Sequence, residues 1–168
     1  MTTPAVLNIG NTTTSFALVT DKRLPDPRQC RTEDLLSPLS GSAEEILAFC
    51  ADRPCLAACV VPDVGTMLAG ELRRNLRFLD YAMLDSIDCS MVKMDTVGAD
   101  RLANLAAVAA FRLAPVIILD CGTAITIEAV DGNYRFRGGS ILPGRRLARQ
   151  ALHRHTAQLP GIDMSTEK

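Results

Sequence analysis

The chain has 168 residues, 48% of them hydrophobic and 22% charged, with a net charge of −1; that is enough for one ordinary domain or two small ones. No basic field exists to draw in a nucleic-acid backbone, so that partner class is set aside. No apolar run approaches the ~20 residues of a membrane span, and the start, Met1-Thr2-Thr3-Pro4-Ala5-Val6-Leu7, lacks the basic region of a signal peptide, so a cytoplasmic protein without membrane contact is expected.

Ala5 to Ile9 reads as a strand, Gly10 to Thr13 as a tight turn using glycine's backbone freedom, and Thr14 to Thr20 as the hairpin partner. Asp21 to Pro27, with two prolines, reads as a loop. Ser42 to Asp52 predicts a short helix, with Glu44 and Glu45 placed well for its dipole. Cys55 to Val61 is an apolar strand stopped by Pro62, and Thr66 to Phe78 has the apolar spacing of an amphipathic helix. Tyr81 to Val97 suggests one strand and a loop, and Arg101 to Arg112 is Ala- and Leu-rich and helical. Val116 to Leu119 has the continuous apolar character of a strand buried on both faces. Ala124 to Val130 is its partner, and Asp131-Gly132-Asn133 turns into Tyr134 to Arg137. Gly138-Gly139 is expected to break that strand, and Pro143-Gly144 to open a last helix over about Arg145 to Thr156. This order predicts α/β lobes with mixed sheets.

Six cysteines, at 30, 50, 55, 59, 89 and 121, form no C-x-x-C pair. With both histidines, His153 and His155, in the tail, the reading is reduced core thiols rather than a zinc site.

One pattern occurs twice. Leu7-Asn8-Ile9-Gly10-Asn11-Thr12-Thr13-Thr14 and Leu119-Asp120-Cys121-Gly122-Thr123-Ala124-Ile125-Thr126 each place Asn or Asp after an apolar run, then Gly two positions on, then hydroxyl residues. Two related hairpins imply two lobes whose turns face one ligand. Glycine turns rich in N–H and hydroxyl groups suit phosphate oxygens, although no Gly-Lys-Ser/Thr of a P-loop follows. Asp100, in Gly98-Ala99-Asp100-Arg101, reads either as a helix N-cap or as a carboxylate that accepts a proton from a substrate hydroxyl during phosphoryl transfer. Asp120, ending a buried strand, binds a cation or is satisfied by turn N–H groups. Gly138-Gly139-Ser140-Ile141-Leu142-Pro143-Gly144 lets backbone approach a ligand, or is a plain helix entry.

Taken together, Asn8 to Thr12, Gly98 to Arg101, Asp120 to Thr126 and Gly138 to Gly144 resemble, in order, the motifs of the type III pantothenate kinases. The resemblance implies a ribonuclease H-like, actin-like ATPase α/β fold of two duplicated lobes. It places an N-terminal lobe at 1–113 and a partial second lobe at 114–168, the family's second lobe continuing further and closing over an edge left bare here. It implies ATP-dependent phosphorylation of pantothenate, the first step of coenzyme A biosynthesis, by a homodimer using Mg²⁺ and a monovalent cation, K⁺ or NH₄⁺. Carried over by position, Asn8, Ile9, Gly10, Asn11, Thr12, Thr13, Thr14, Ser15 and Thr123 hold ATP. Gly98, Ala99, Asp100 and Arg101 meet pantothenate, Asp100 is the general base, and Asp120 binds the monovalent cation. Two positions depart from the pattern. Asn8 replaces the family's Asp, removing a charge that helps hold Mg²⁺ near the phosphates, and Met91 to Val97 lacks the aromatic that relatives often place near the substrate. A non-catalytic nucleotide-binding relative, and a phosphotransferase with another acceptor, therefore stand beside the kinase reading.

Overall fold

The computed structural model describes residues 2–20 and 26–161; most of the expected loop at Asp21 to Pro27 lies outside them. Two sheets enclose one long helix. The first has five strands in the order β3-β2-β1-β4-β5. β1 (Ala5–Ile9) and β2 (Thr13–Leu18) form the antiparallel hairpin, and β4 (Cys55–Cys59) lies parallel to β1. Alternation along β1 and β2 turns Leu7, Ile9 and Phe16 to one face. There they form a core with Ile46 and Cys50 of α1 (Ser42–Cys50) and Val64 and Leu68 of α2 (Pro62–Leu72).

Several elements differ from the sequence expectation. The edge strand β3 (Arg28–Arg31) was not expected, because Arg28-Gln29-Cys30-Arg31 has no apolar alternation and is held by its pairing to β2. The second helix starts at Pro62 and stops at Leu72, where Arg73, at φ 47°, turns the chain. Leu76–Phe78, expected to be helical, is instead β5, parallel to β4, with Leu76 joining the core. No strand forms within 81–97. That stretch has short 3-10 turns at Tyr81–Met83 and Met94–Thr96. It is tied to the second sheet by an isolated bridge between Asp88 and Arg135 and by a 2.9 Å ion pair between the same residues. Hydrogen bonds from Ser90, then the Arg135 guanidinium, hold the Asp88 carboxyl down at about 2.

The helix α3 (Ala99–Phe111) lies between the sheets. Its Leu102, Leu105 and Val108 share a second core with Leu84, Ile87, Met94, Val130 and Phe136. The second sheet is an antiparallel meander, β6 (Val116–Cys121), β7 (Ala124–Val130) and β8 (Phe136–Pro143). Gly138-Gly139 does not break β8. Gly138 adopts φ 94°, a register shift at Ala129/Val130 absorbs the irregularity, and the strand continues to Pro143. Nor is β6 buried on both faces: Ile117 and Leu119 are 73% and 61% exposed, because no described element covers that side. The chain then enters α4 (Arg145–His155).

Candidate functional site

The two hairpin turns touch. Thr12 Oγ1 and Thr123 Oγ1 lie 2.7 Å apart, and around them opens a cleft of about 410 Å³. Asn8, Gly10, Asn11, Thr12 and Thr13 line it from the first hairpin, Asp120, Gly122, Thr123, Ala124 and Thr126 from the second, with Asp100, Val60 and Arg146 completing the wall. Each turn closes on itself through a backbone hydrogen bond. The Gly10 N–H donates to Thr13 O (3.1 Å) and the Gly122 N–H to Ala124 O (2.9 Å). Gly10 does this without a left-handed φ, and neither glycine N–H is left for a ligand.

Of the residues expected to hold ATP, Asn8, Gly10, Asn11, Thr12, Thr13 and Thr123 reach the cleft. Ile9 is core. Thr14 is fully buried, its hydroxyl 3.0 Å from that of Thr32, which in turn donates to Gly10 O. Ser15 faces a separate apolar hollow of about 290 Å³ with Val6, Ala17, Leu56, Leu79 and Ala103.

Asp100 is half-buried in the first turn of α3. It is not the N-cap; Gly98 holds that position. The carboxylate is oriented by the Arg101 N–H, which donates to Oδ1 at 2.8 Å. A Cβ at position 98 would stand 2.6 Å from the same oxygen, so a side chain there would push the carboxylate out of this position. Gly98 and Ala99 open on a neighbouring hollow of about 540 Å³ that shares Val60 with the cleft and is lined also by Tyr81. Arg101 turns away. Its Nε donates to Glu128 Oε1 at 2.8 Å, and Asn104 Nδ2 donates to Oε2 at 3.3 Å. Glu128 is fully buried, a position a carboxylate holds only when paired. This pair ties the start of α3, and with it Asp100, to the second sheet.

Asp120 is exposed within the cleft rather than buried, since β6 delivers it to the turn. Across the ladder it pairs with Thr126. Thr126 is 8% exposed and its hydroxyl has no hydrogen-bond partner. Sequence reasoning missed Thr126, Arg146 and Tyr81. Thr126 was legible inside the quoted repeat; the other two carry no local signal. The six cysteines are free thiols; burial, then a hydrogen bond with Cys55, pushes Cys50 up to about 12.

The sequence matches the type III pantothenate kinase family over residues 5–168. A type III pantothenate kinase of Rubrobacter xylanophilus is 34% identical, covering 96% of this chain and 65% of the relative. One of Chlorobium chlorochromatii is 32% identical over 96% of this chain and 64% of the relative. The chain thus spans about 65% of the length of these relatives. Among solved structures, an exopolyphosphatase-like protein superposes with a TM-score of 0.50 at 10% identity, covering 95% of this chain and 56% of the other. That likeness shows the fold alone, the α/β actin-like architecture expected from the sequence.

Proposed function

Because the chain belongs to the type III pantothenate kinase family, we propose that it contributes the catalytic cleft for ATP-dependent phosphorylation of pantothenate. The observation that carries this is the meeting of the two hairpins, Thr12 against Thr123, with both Asp100 and Asp120 in the wall of the one cleft they form. The polyphosphate lies along the hydroxyls of Thr12, Thr13 and Thr123. Pantothenate enters from the hollow beside Gly98, Ala99 and Tyr81, placing its primary hydroxyl at Asp100. The Asp100 carboxylate accepts the hydroxyl proton as that oxygen bonds to the terminal phosphorus, and the bond to the departing ADP oxygen breaks. Arg101 acts as a positioning residue through Glu128, and its backbone N–H fixes the carboxylate.

The cations fit this donor set. Asp120 offers an exposed carboxylate and Thr126 an unpartnered hydroxyl on the same face of the ladder, oxygens that can coordinate K⁺ or accept hydrogen bonds from NH₄⁺. Mg²⁺ would be held mainly by phosphate oxygens and water, its usual coordination beside a nucleotide. When bound, these ions offset charge on the transferring phosphoryl group. The homodimer, a cytoplasmic location and the division into lobes 1–113 and 114–168 belong to the same proposal. Among the described residues no helix is long and apolar enough to cross a membrane.

The test is a coupled assay of ADP release. Pantothenate-dependent turnover with Mg²⁺ and K⁺ is expected, and Asp100→Asn should lower it about 10²–10⁴-fold. A second reading, a nucleotide-binding relative without catalysis, draws on Asn8. Absence of pantothenate-dependent turnover together with retained ATP binding selects it.

A further inference from the structure

The cleft has an unusual charge pattern for a polyphosphate site. Its ionisable residues are Asp100, Asp120 and Arg146, while Asn8 brings no charge. Two carboxylates repel the ligand, and among the described residues one guanidinium is the sole side-chain cation lining the cleft. Arg146 is also well placed. It is the second residue of α4, whose start is fastened to the second hairpin: the Gly144 N–H donates to Thr123 O at 2.9 Å, and a Cβ on Gly144 would collide with the carbonyls of Gly122 and Thr123. The first turn of α4 therefore cannot move without moving the turn that meets Thr12. Arg146 is exposed and forms no ion pair among the described residues. The positive end of the helix dipole adds to its field. A second observation points to a ligand independently: Thr126 Oγ1, more than nine-tenths buried, lines the same cleft without a partner.

We propose that Arg146 is a direct phosphate-binding residue, its guanidinium gripping terminal phosphate oxygens. It supplies from the protein a positive charge that the amide at position 8 does not recruit through a metal. This rests on the nucleotide reading of the cleft and goes beyond it, because it assigns the anion contact to a residue outside both repeated hairpins. Guanidinium matches phosphate through paired N–H donors, so the contact gives orientation as well as charge. It follows that nucleotide binding depends less on Mg²⁺ than a site relying on an acid at position 8 would.

The experiment is calorimetric titration of ATP into the whole chain, once with EDTA and once with Mg²⁺. The proteins are the unmodified chain, Arg146→Ala, Arg146→Lys and Arg154→Ala. Arg154 carries the same charge at the far end of the same helix, so it reports non-specific attraction. Arg146→Ala should weaken metal-free ATP binding on the order of tenfold, with a smaller loss when Mg²⁺ is present. Arg146→Lys should recover part of the affinity, and Arg154→Ala should bind as the unmodified chain does. Equal affinities for Arg146→Ala and the unmodified chain overturn the proposal, as does an equal loss in Arg146→Ala and Arg154→Ala. If the unmodified chain binds no ATP under either condition, the nucleotide reading falls and this contact falls with it; if it binds ATP but Arg146→Ala is silent, only the contact falls.

Discussion

Thr14 and Thr126 occupy the same place in the repeated sequence and opposite places in the molecule. In the first hairpin Asn8 lies across from Ser15, so Thr14 points to the other face, into the core, where its hydroxyl meets Thr32. In the second hairpin Asp120 lies across from Thr126 itself. The second turn is one residue shorter, and because side chains alternate along a strand, a one-residue change moves the threonine to the opposite face. Thr126 is thus the spatial counterpart of Ser15. Its hydroxyl sits in the cleft with no partner. One hairpin spends its threonine on internal satisfaction, the other presents it to a ligand.

The sheets that carry the hairpins differ as well. The inner face of the first is sealed by α1 and α2, whereas the outer face of the second, with Ile117, Leu119 and Cys121, is open. The largest expected contrast follows from this. Leu7→Ala should cost about 2–5 kcal/mol, a buried side chain deleted from a packed core. Leu119→Ala should cost under ~0.5 kcal/mol, as a surface change does. Denaturant unfolding measures both, and comparable losses would mean that the outer face is covered in solution.

A smaller contrast tests the two threonines. Thr14→Val removes a buried hydrogen bond and leaves the Thr32 hydroxyl with its donation to Gly10 O alone, an expected loss of about 1 kcal/mol. Thr126→Val replaces an unsatisfied buried hydroxyl by a methyl of the same shape, so ligand-free stability should hold or rise while nucleotide or cation affinity falls. Thermal melts with and without ATP and K⁺ separate the two effects; a destabilised ligand-free Thr126→Val would show that its hydroxyl already has a partner.

The last contrast is Asn8 against Asp120, amide against carboxylate at matching positions. Asn8→Asp should strengthen Mg·ATP binding by up to roughly tenfold while leaving metal-free binding unchanged or weaker. No change in either would detach position 8 from the metal–nucleotide complex.

Much of this was legible along the chain. The first hairpin, α1, α3 and the β6–β7 hairpin announce themselves through alternation, apolar runs and helical spacing, the Asp131-Gly132-Asn133 turn is explicit, the repeated motif pointed to Asp120, and Gly98-Ala99-Asp100-Arg101 pointed to Asp100. These are local signals, set by backbone sterics and side-chain periodicity within a few residues. What escaped depends on partners far away in sequence. β3 and β5 are short and without clear pattern, and exist because β2 and β4 offer them hydrogen bonds. Gly138-Gly139 stays in a strand because β7 holds it there. The burial of Glu128 required Arg101 and Asn104 from another element, and Arg146 entered the cleft because Gly144 docks on Thr123. The sequence by itself determined which segments become hairpins and helices and which carboxylates are candidates for chemistry. Only the tertiary structure decided which face each side chain takes and which groups share one cleft, because register and packing are settled between elements, not within them.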